Sequence, residues 1–307
     1  YILLAVSLVL AGCSSSLDST VDRSSAEENQ TDDEDDRTFM EKGDDAYDDD
    51  ELQTAIGFYQ QALTEAKEAE DEEQEALALH NIGYAYLDQN LSEQALENLQ
   101  IALSIRTDLE DTEGQGKTLI GISLAYTQLN QHEQALEVAE QALEIMEEAD
   151  DRMGEGVVLA HIGLLYMNQQ KYELALSKMS EGLAASRDAG DQETEASLLG
   201  LMGFVFIDLE DYEQALEKLE ASLELNKSIR NRVGEASASG AIGLIYNEME
   251  LYEQAIPYLE ESQKLAERAR ETFIEADALN NLGVAHYYLN DVDRAITFFE
   301  DALKLYE

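Results

Sequence analysis

Four histidines, one cysteine and several dense carboxylate runs are the residues of this chain that could do chemistry. His80, His132, His161 and His286 would be the candidates for general acid–base work. None lies in a His-Glu-x-x-His arrangement and none neighbours the thiol, so neither a helix-borne zinc site nor an activated nucleophile is spelled out. The acidic runs Asp32-Asp33-Glu34-Asp35-Asp36 and Asp48-Asp49-Asp50-Glu51 invite a calcium reading. They lack the alternating ligands and central glycine of a calcium loop, and a solvated charge run accounts for both. Every recurrent glycine belongs to a repeat described below, leaving none for a phosphate-cradling loop. The residues therefore predict no metal, no cofactor and no catalysis.

The single Cys13 excludes an intrachain disulfide and a cysteine-cluster metal site. Its setting is more informative. The apolar run 2–10 leads into Leu10-Ala11-Gly12-Cys13 and then Ser14-Ser15-Ser16. Such a run is too short for a membrane-spanning helix and has the build of a secretory signal core. The tetrapeptide resembles the bacterial lipobox. That resemblance implies cleavage after Gly12 and lipidation of Cys13, with a membrane attachment that needs several acyl chains to be stable. The serine after the cysteine implies outer-membrane sorting, facing the periplasm. Because the chain opens on Tyr1 without a basic stretch, its start is expected upstream. Residues 1–12 are thus read as signal core and lipobox, and 13–38, polar and without apolar periodicity, as a lipidated, acidic, flexible tether.

Composition bounds the rest. At 44% hydrophobic residues the chain has enough apolar surface for a packed core, and one Pro among 307 residues favours helices throughout. Nineteen basic residues against 67 acidic ones give a net charge of −48. Phosphate backbones require a basic footprint, so nucleic acid is excluded as a partner and an anionic membrane surface is disfavoured. The acidity itself has two readings: solubility in a salty habitat, or attraction of a basic ligand.

From residue 39 onward the sequence repeats. Ala55, Ala95, Ala135, Ala175, Ala215, Ala255 and Ala295 recur every 40 residues without insertion. Twelve residues before each lies Gly43, Gly83, Ser123, Gly163, Gly203, Gly243 or Gly283. Seven after the alanine come Ala62, Ala102, Ala142, Gly182, Ser222, Ser262 and Ala302. Small residues at fixed phase predict helices in close approach. Between them run large residues at helical spacing, such as Ile82, Ile122, Ile162, Met202, Ile242 and Leu282, then Tyr86, Tyr126, Tyr166, Phe206, Tyr246 and His286. His286 in that register reads as core rather than base. In the second unit the pattern predicts a helix over about 75–88 and another over about 92–109. Acidic links with glycine, such as 111–114 and 150–154, are expected to stop helices between units.

The order Leu/Ile-Gly-x-x-Tyr, Ala, large residue, Ala resembles the tetratricopeptide repeat in its longer, 40-residue variety. That resemblance implies an all-α, right-handed superhelical solenoid of antiparallel helix pairs over residues 39–307. Its units are about 35–74, 75–114, 115–154, 155–194, 195–234, 235–274 and 275–307, six good and one degraded at the N-terminus, where Lys42 replaces the usual aliphatic residue. The resemblance also implies a concave groove lined by the first helix of each pair. Groove candidates are His80, Asn81, Tyr84, Lys117, Ile120, Leu124, Leu164, Met167, Phe204, Ile207, Leu244, Asn247, Asn280, Asn281 and Tyr287. Only Lys117 could serve a carboxylate clamp of the kind some members use, so that clamp is rejected. Asn81 and Asn281 resemble family asparagines that bond ligand backbone. An amphipathic or extended peptide with apolar anchors and a basic flank would suit this surface. Two functional readings follow: a lipid-anchored envelope adaptor that grips a protein or peptide, or a sensory or regulatory segment of a longer signalling protein.

Overall fold

The computed structural model describes residues 37–48 and 51–306. Every regular element among them is an α-helix, fourteen in all. They are α1 Phe39–Asp48, α2 Leu52–Ala69, α3 Glu72–Asp88, α4 Ser92–Asp108, α5 Thr112–Gln128, α6 His132–Glu148 and α7 Arg152–Asn168. Then follow α8 Tyr172–Ala189, α9 Gln192–Asp208, α10 Tyr212–Ile229, α11 Arg232–Glu248, α12 Tyr252–Ala269, α13 Thr272–Tyr288 and α14 Val292–Tyr306. Among the described residues no helix is long and apolar enough to cross a membrane. The array divides into two compact units whose boundary falls between Val158 and Leu159, inside α7.

The 40-residue phase has a local cause. Residues with positive φ recur every twenty positions: Glu70, Asn90, Glu110, Asn130, Asp150, Gln170, Gly190, Glu210, Arg230, Glu250, Arg270 and Asn290. Each ends a helix by turning the chain left-handed, and the next N–H reaches back to close the last turn. At Asn90, for example, Asn90 N–H donates to Leu87 O and Leu91 N–H to Tyr86 O, at 2.9 and 2.8 Å. The residue after the turn then starts the next helix. Asp71, Asp111, Asp151, Asp191, Asp211, Asn231 and Asp291 accept a backbone N–H from that helix's first turn. Asp71 explains why α3 begins at Glu72, three residues before the expected start. The same caps overturn the expectation for the glycine-containing links: Gly114 and Gly154 lie inside the first turns of α5 and α7, and the stop is the residue at 110 or 150.

Within each unit helices pack with their sequence neighbours, and the first helix of a pair also meets the first helix of the next. In the N-terminal unit α3 touches α5; in the C-terminal unit α9 touches α11 and α11 touches α13. Each unit thus presents a face made of first helices, with second helices behind.

Within a pair the contact is a matter of size. A Cβ on Gly83, Gly163, Gly203, Gly243 or Gly283 would stand 2.5–2.6 Å from Leu99, Met179, Leu219, Leu259 or Phe299, each sixteen residues on. Gly43 meets Tyr59 in the same way. The one repeat with a larger first member, Ser123, has the small Ala139 opposite, and the serine hydroxyl donates to Ala135 O at 2.6 Å. A second such relation joins successive pairs, at a spacing of eight. Where the second helix ends in Arg106, Met146 or Asn226, the next helix has Gly114, Gly154 or Gly234, whose Cβ would lie 2.1–2.8 Å from those side chains. Where it ends in the small Ser186 or Ala266, the next helix carries Thr194 or Ile274, both buried.

His161 is 1% exposed, and burial lowers its imidazole from 6.5 to about 4. His286 is buried too, stacked on Phe298 with centroids 5.3 Å apart and Nδ1 3.6 Å from Asp291 Oδ2.

Two outcomes are expected. Gly203→Ser should cost about 1–3 kcal/mol by overpacking and Leu219→Ala about 2–5 by leaving a cavity. The double variant should be destabilised by at least about 1 kcal/mol less than the sum, as a denaturation double-mutant cycle would read; simple additivity would contradict the size pairing. For His161, an unfolded chain takes up a proton below about pH 6.5 while the folded chain resists until about 4. Stability from the neutral imidazole is therefore present above 6.5 and falls by about 3 kcal/mol as the pH drops to 4. Melting curves of the parent should fall relative to those of His161→Met across that window; parallel curves would contradict the assignment.

Candidate functional site

In the N-terminal unit the first-helix face carries a polar cluster across α3, α4 and α5. Arg106, buried at the end of α4, donates through Nη1 to Gly114 O at 2.6 Å and Thr118 Oγ1 at 2.7 Å. Its Nε lies 3.6 Å from Asp111. His80 Nδ1 sits 3.3 Å from Thr118 Oγ1 and 3.5 Å from Arg106 Nη1. Burial, then the adjacent Arg106 and Lys117 charges, hold His80 well below its ordinary value, so it is neutral at pH 7. Its ring leans on Tyr84 at 4.7 Å, and the Tyr84 hydroxyl donates to Lys117 O at 3.3 Å. Lys117 pairs with Glu113 one turn back at 2.9 Å, which holds that carboxyl below its usual range. Asn81 turns its amide toward Met40 and Asp44 on α1, at 3.6 and 3.4 Å. Ile120 and Leu124 are buried between helices, Ile120 at 1% exposure. The cluster is charged but internally satisfied. Arg106 escaped the sequence reading because its partners lie 8, 12 and 26 residues away and an arginine at a register of small or apolar residues carries no periodic signal.

In the C-terminal unit the face is apolar. Leu164, Met167, Phe204 and Leu244 are all buried, Ile207 is half-buried, and Asn280 and Tyr287 are exposed, Tyr287 at 57%. Asn247 is buried and donates to Asn281 O at 2.9 Å, while Asn281 donates to Asp277 O one turn back, also at 2.9 Å. Both asparagine amides are thus directed at their own scaffold. A small recess, open to solvent, lies where α9, α11, α12 and α13 meet. Phe204, Leu244 and Ile274 line it with Gly240 and Ser262, and Ser237, Asp277 and Asn281 bring further polar groups to it. Gly240 lets α11 approach α12 closely: a Cβ there would come 2.9 Å from Ser262 Oγ. The Ser262 hydroxyl is occupied, donating to Ala236 O at 2.8 Å.

Among the described residues no group of three or more His, Cys, Asp or Glu is arranged to hold a metal ion. Cys13 and the acidic run 32–36 lie outside the described residues, as do positions 49 and 50 of the second run. The two units thus differ in chemistry: a polar cluster around a buried guanidinium in one, and an apolar recess with a carboxylate in the other.

The tetratricopeptide repeat family model matches residues 76–148 and 234–307. No curated protein matches the chain. Solved structures do resemble it in fold. The apo form of the quorum sensor NprR from B. thuringiensis superposes with a TM-score of 0.71 at 19% identity, covering 88% of this chain and 75% of that one. Apo RapI gives 0.63 at 20% identity, covering 86% and 98%. The Rap conjugation gene regulator of plasmid pLS20, in complex with the Phr* peptide, gives 0.66 at 15% identity, covering 87% and 72%. The chain carries tetratricopeptide repeats, and its all-helical fold is that of the tetratricopeptide-like arrays.

Proposed function

We propose that this protein is an interaction scaffold that holds a peptide or a segment of a partner protein against its first-helix faces, and that it is anchored to the bacterial cell envelope by lipid on Cys13. The observation that carries the binding reading is the largely apolar recess at the junction of α9, α11, α12 and α13. A fold-level likeness to a regulator captured with its peptide supports the same reading. The Leu10-Ala11-Gly12-Cys13 sequence supports the anchor. The sensory alternative draws support from the likeness to a quorum sensor; in it the same face binds a signal peptide and reports to another domain.

Crosslinking on the whole chain tests the binding face. Asn280→Arg combined with Tyr287→Arg alters exposed first-helix positions and should strip bound partners, whereas Glu260→Arg on exposed α12 should not. Retention of every partner by the first variant would sink the reading. For the anchor, Cys13→Ser should move the protein from the membrane fraction to the soluble fraction and block signal cleavage; unchanged fractionation would count against lipidation.

A further inference from the structure

The pocket in the C-terminal unit holds a hydroxyl that the scaffold leaves unanswered and a carboxylate without a cation. Ser237 is 2% exposed, and its Oγ has no hydrogen-bond partner among the described residues. A buried hydroxyl without a partner is destabilising, by about 1–3 kcal/mol in typical cases, unless something else bonds it. Its repeat-mates at the same register do not share this setting: Leu77 and Val157 are apolar, Lys117 pairs with Glu113, and Ser197 is only half-buried. Asp277, the next mate, stands half-buried beside the pocket. One of its oxygens accepts the Tyr306 hydroxyl, and among the described residues it has no cationic partner. Most of the remaining wall is aliphatic or aromatic, and its other polar groups are engaged, Ser262 with Ala236 O and the Asn281 amide with Asp277 O.

Resting on the interaction reading above, we propose that this pocket is a two-part peptide subsite: one aliphatic side chain of an extended peptide fills the space among Phe204, Leu244 and Ile274, and an adjoining Lys or Arg pairs with Asp277. Three features select this occupant. The recess is small and open on one side, with room for a single side chain laid against it rather than for a large cofactor. Its apolar wall takes an aliphatic group with no polar cost. Finally, a carboxylate without a cation, in a chain of net charge −48, attracts a basic flank and repels an acidic one. An extended backbone also brings N–H and C=O groups, either of which would satisfy Ser237 Oγ as acceptor or donor. A helix would keep both for itself.

The test uses the full chain and fluorescein-labelled, acetylated ten-residue peptides of Gly and Ser carrying a central leucine followed by lysine, glutamate or alanine. Fluorescence anisotropy should rank lysine over alanine over glutamate, with about tenfold between the extremes, and replacing the leucine by glycine should abolish binding. Asp277→Lys should invert the lysine–glutamate order, an outcome that misfolding does not produce. Glu260→Lys, the same charge change elsewhere, should leave the order intact. Tyr306→Phe, which removes only the hydroxyl bonded to Asp277, should also keep it. Equal binding of lysine and glutamate peptides, or an order unmoved by Asp277→Lys, overturns the proposal. If Asn280→Arg with Tyr287→Arg still strips partners while the peptides show neither preference, the binding face stands and this subsite falls. If partners also remain, both fall.

Discussion

The fold depends on helices approaching more closely than ordinary side chains permit. At Gly83, Gly163, Gly203, Gly243 and Gly283 a single methyl would collide with the large residue opposite, so the glycine and the Leu, Met or Phe sixteen positions on form one packing unit. At Ser123 the larger first member faces the small Ala139 instead of a Leu, Met or Phe, and its hydroxyl is bonded to Ala135 O. Close-packed interiors tolerate volume-preserving exchanges better than changes at one partner. The eight-residue relation between Arg106, Met146 or Asn226 and Gly114, Gly154 or Gly234 extends the rule from within a pair to between pairs. Because both relations are local, each pair is specified by itself and its immediate neighbours, as in other one-dimensional arrays.

That arrangement frees the first-helix face for other uses. The second helices supply bulk behind it, so the face can vary without endangering the pair contact. In the N-terminal unit the variation takes the form of a buried guanidinium with its hydrogen bonds met by Gly114 O and Thr118 Oγ1. Burying that charge is tolerable only because these acceptors and Asp111 surround it. In the C-terminal unit the same face opens into a recess lined in part by Gly240. One scaffold thus carries two chemically unlike surfaces.

Much of this was legible in the sequence, for reasons that can be stated residue by residue. Alanines every 40 positions and glycines twelve before them gave the helices and their pairing, since small residues in phase have few other uses. Ends were less legible: Gly114 looks like a helix stop, yet its role is to admit Arg106, and the stop is Glu110, a residue with no turn signature. The faces were least legible. Ile120, Leu124 and Leu164 share a register with exposed positions, but close first-helix packing buries them. Arg106 and Ser237 escaped notice because their significance lies in partners present or absent across space, which no spacing along the chain encodes.

The short connections between helices carry one more implication. With each helix closed by a single left-handed residue and the next begun at once, the described array from residue 51 onward has almost no loop to vary. Recognition in many folds diversifies by lengthening loops, a route that would here shift a helix out of phase by about 100° for every residue added. A protein built this way can acquire a new partner only by exchanging side chains on existing helices or by gaining a whole pair. Its binding repertoire should therefore change in discrete steps, with array length unchanged or altered by forty residues at a time.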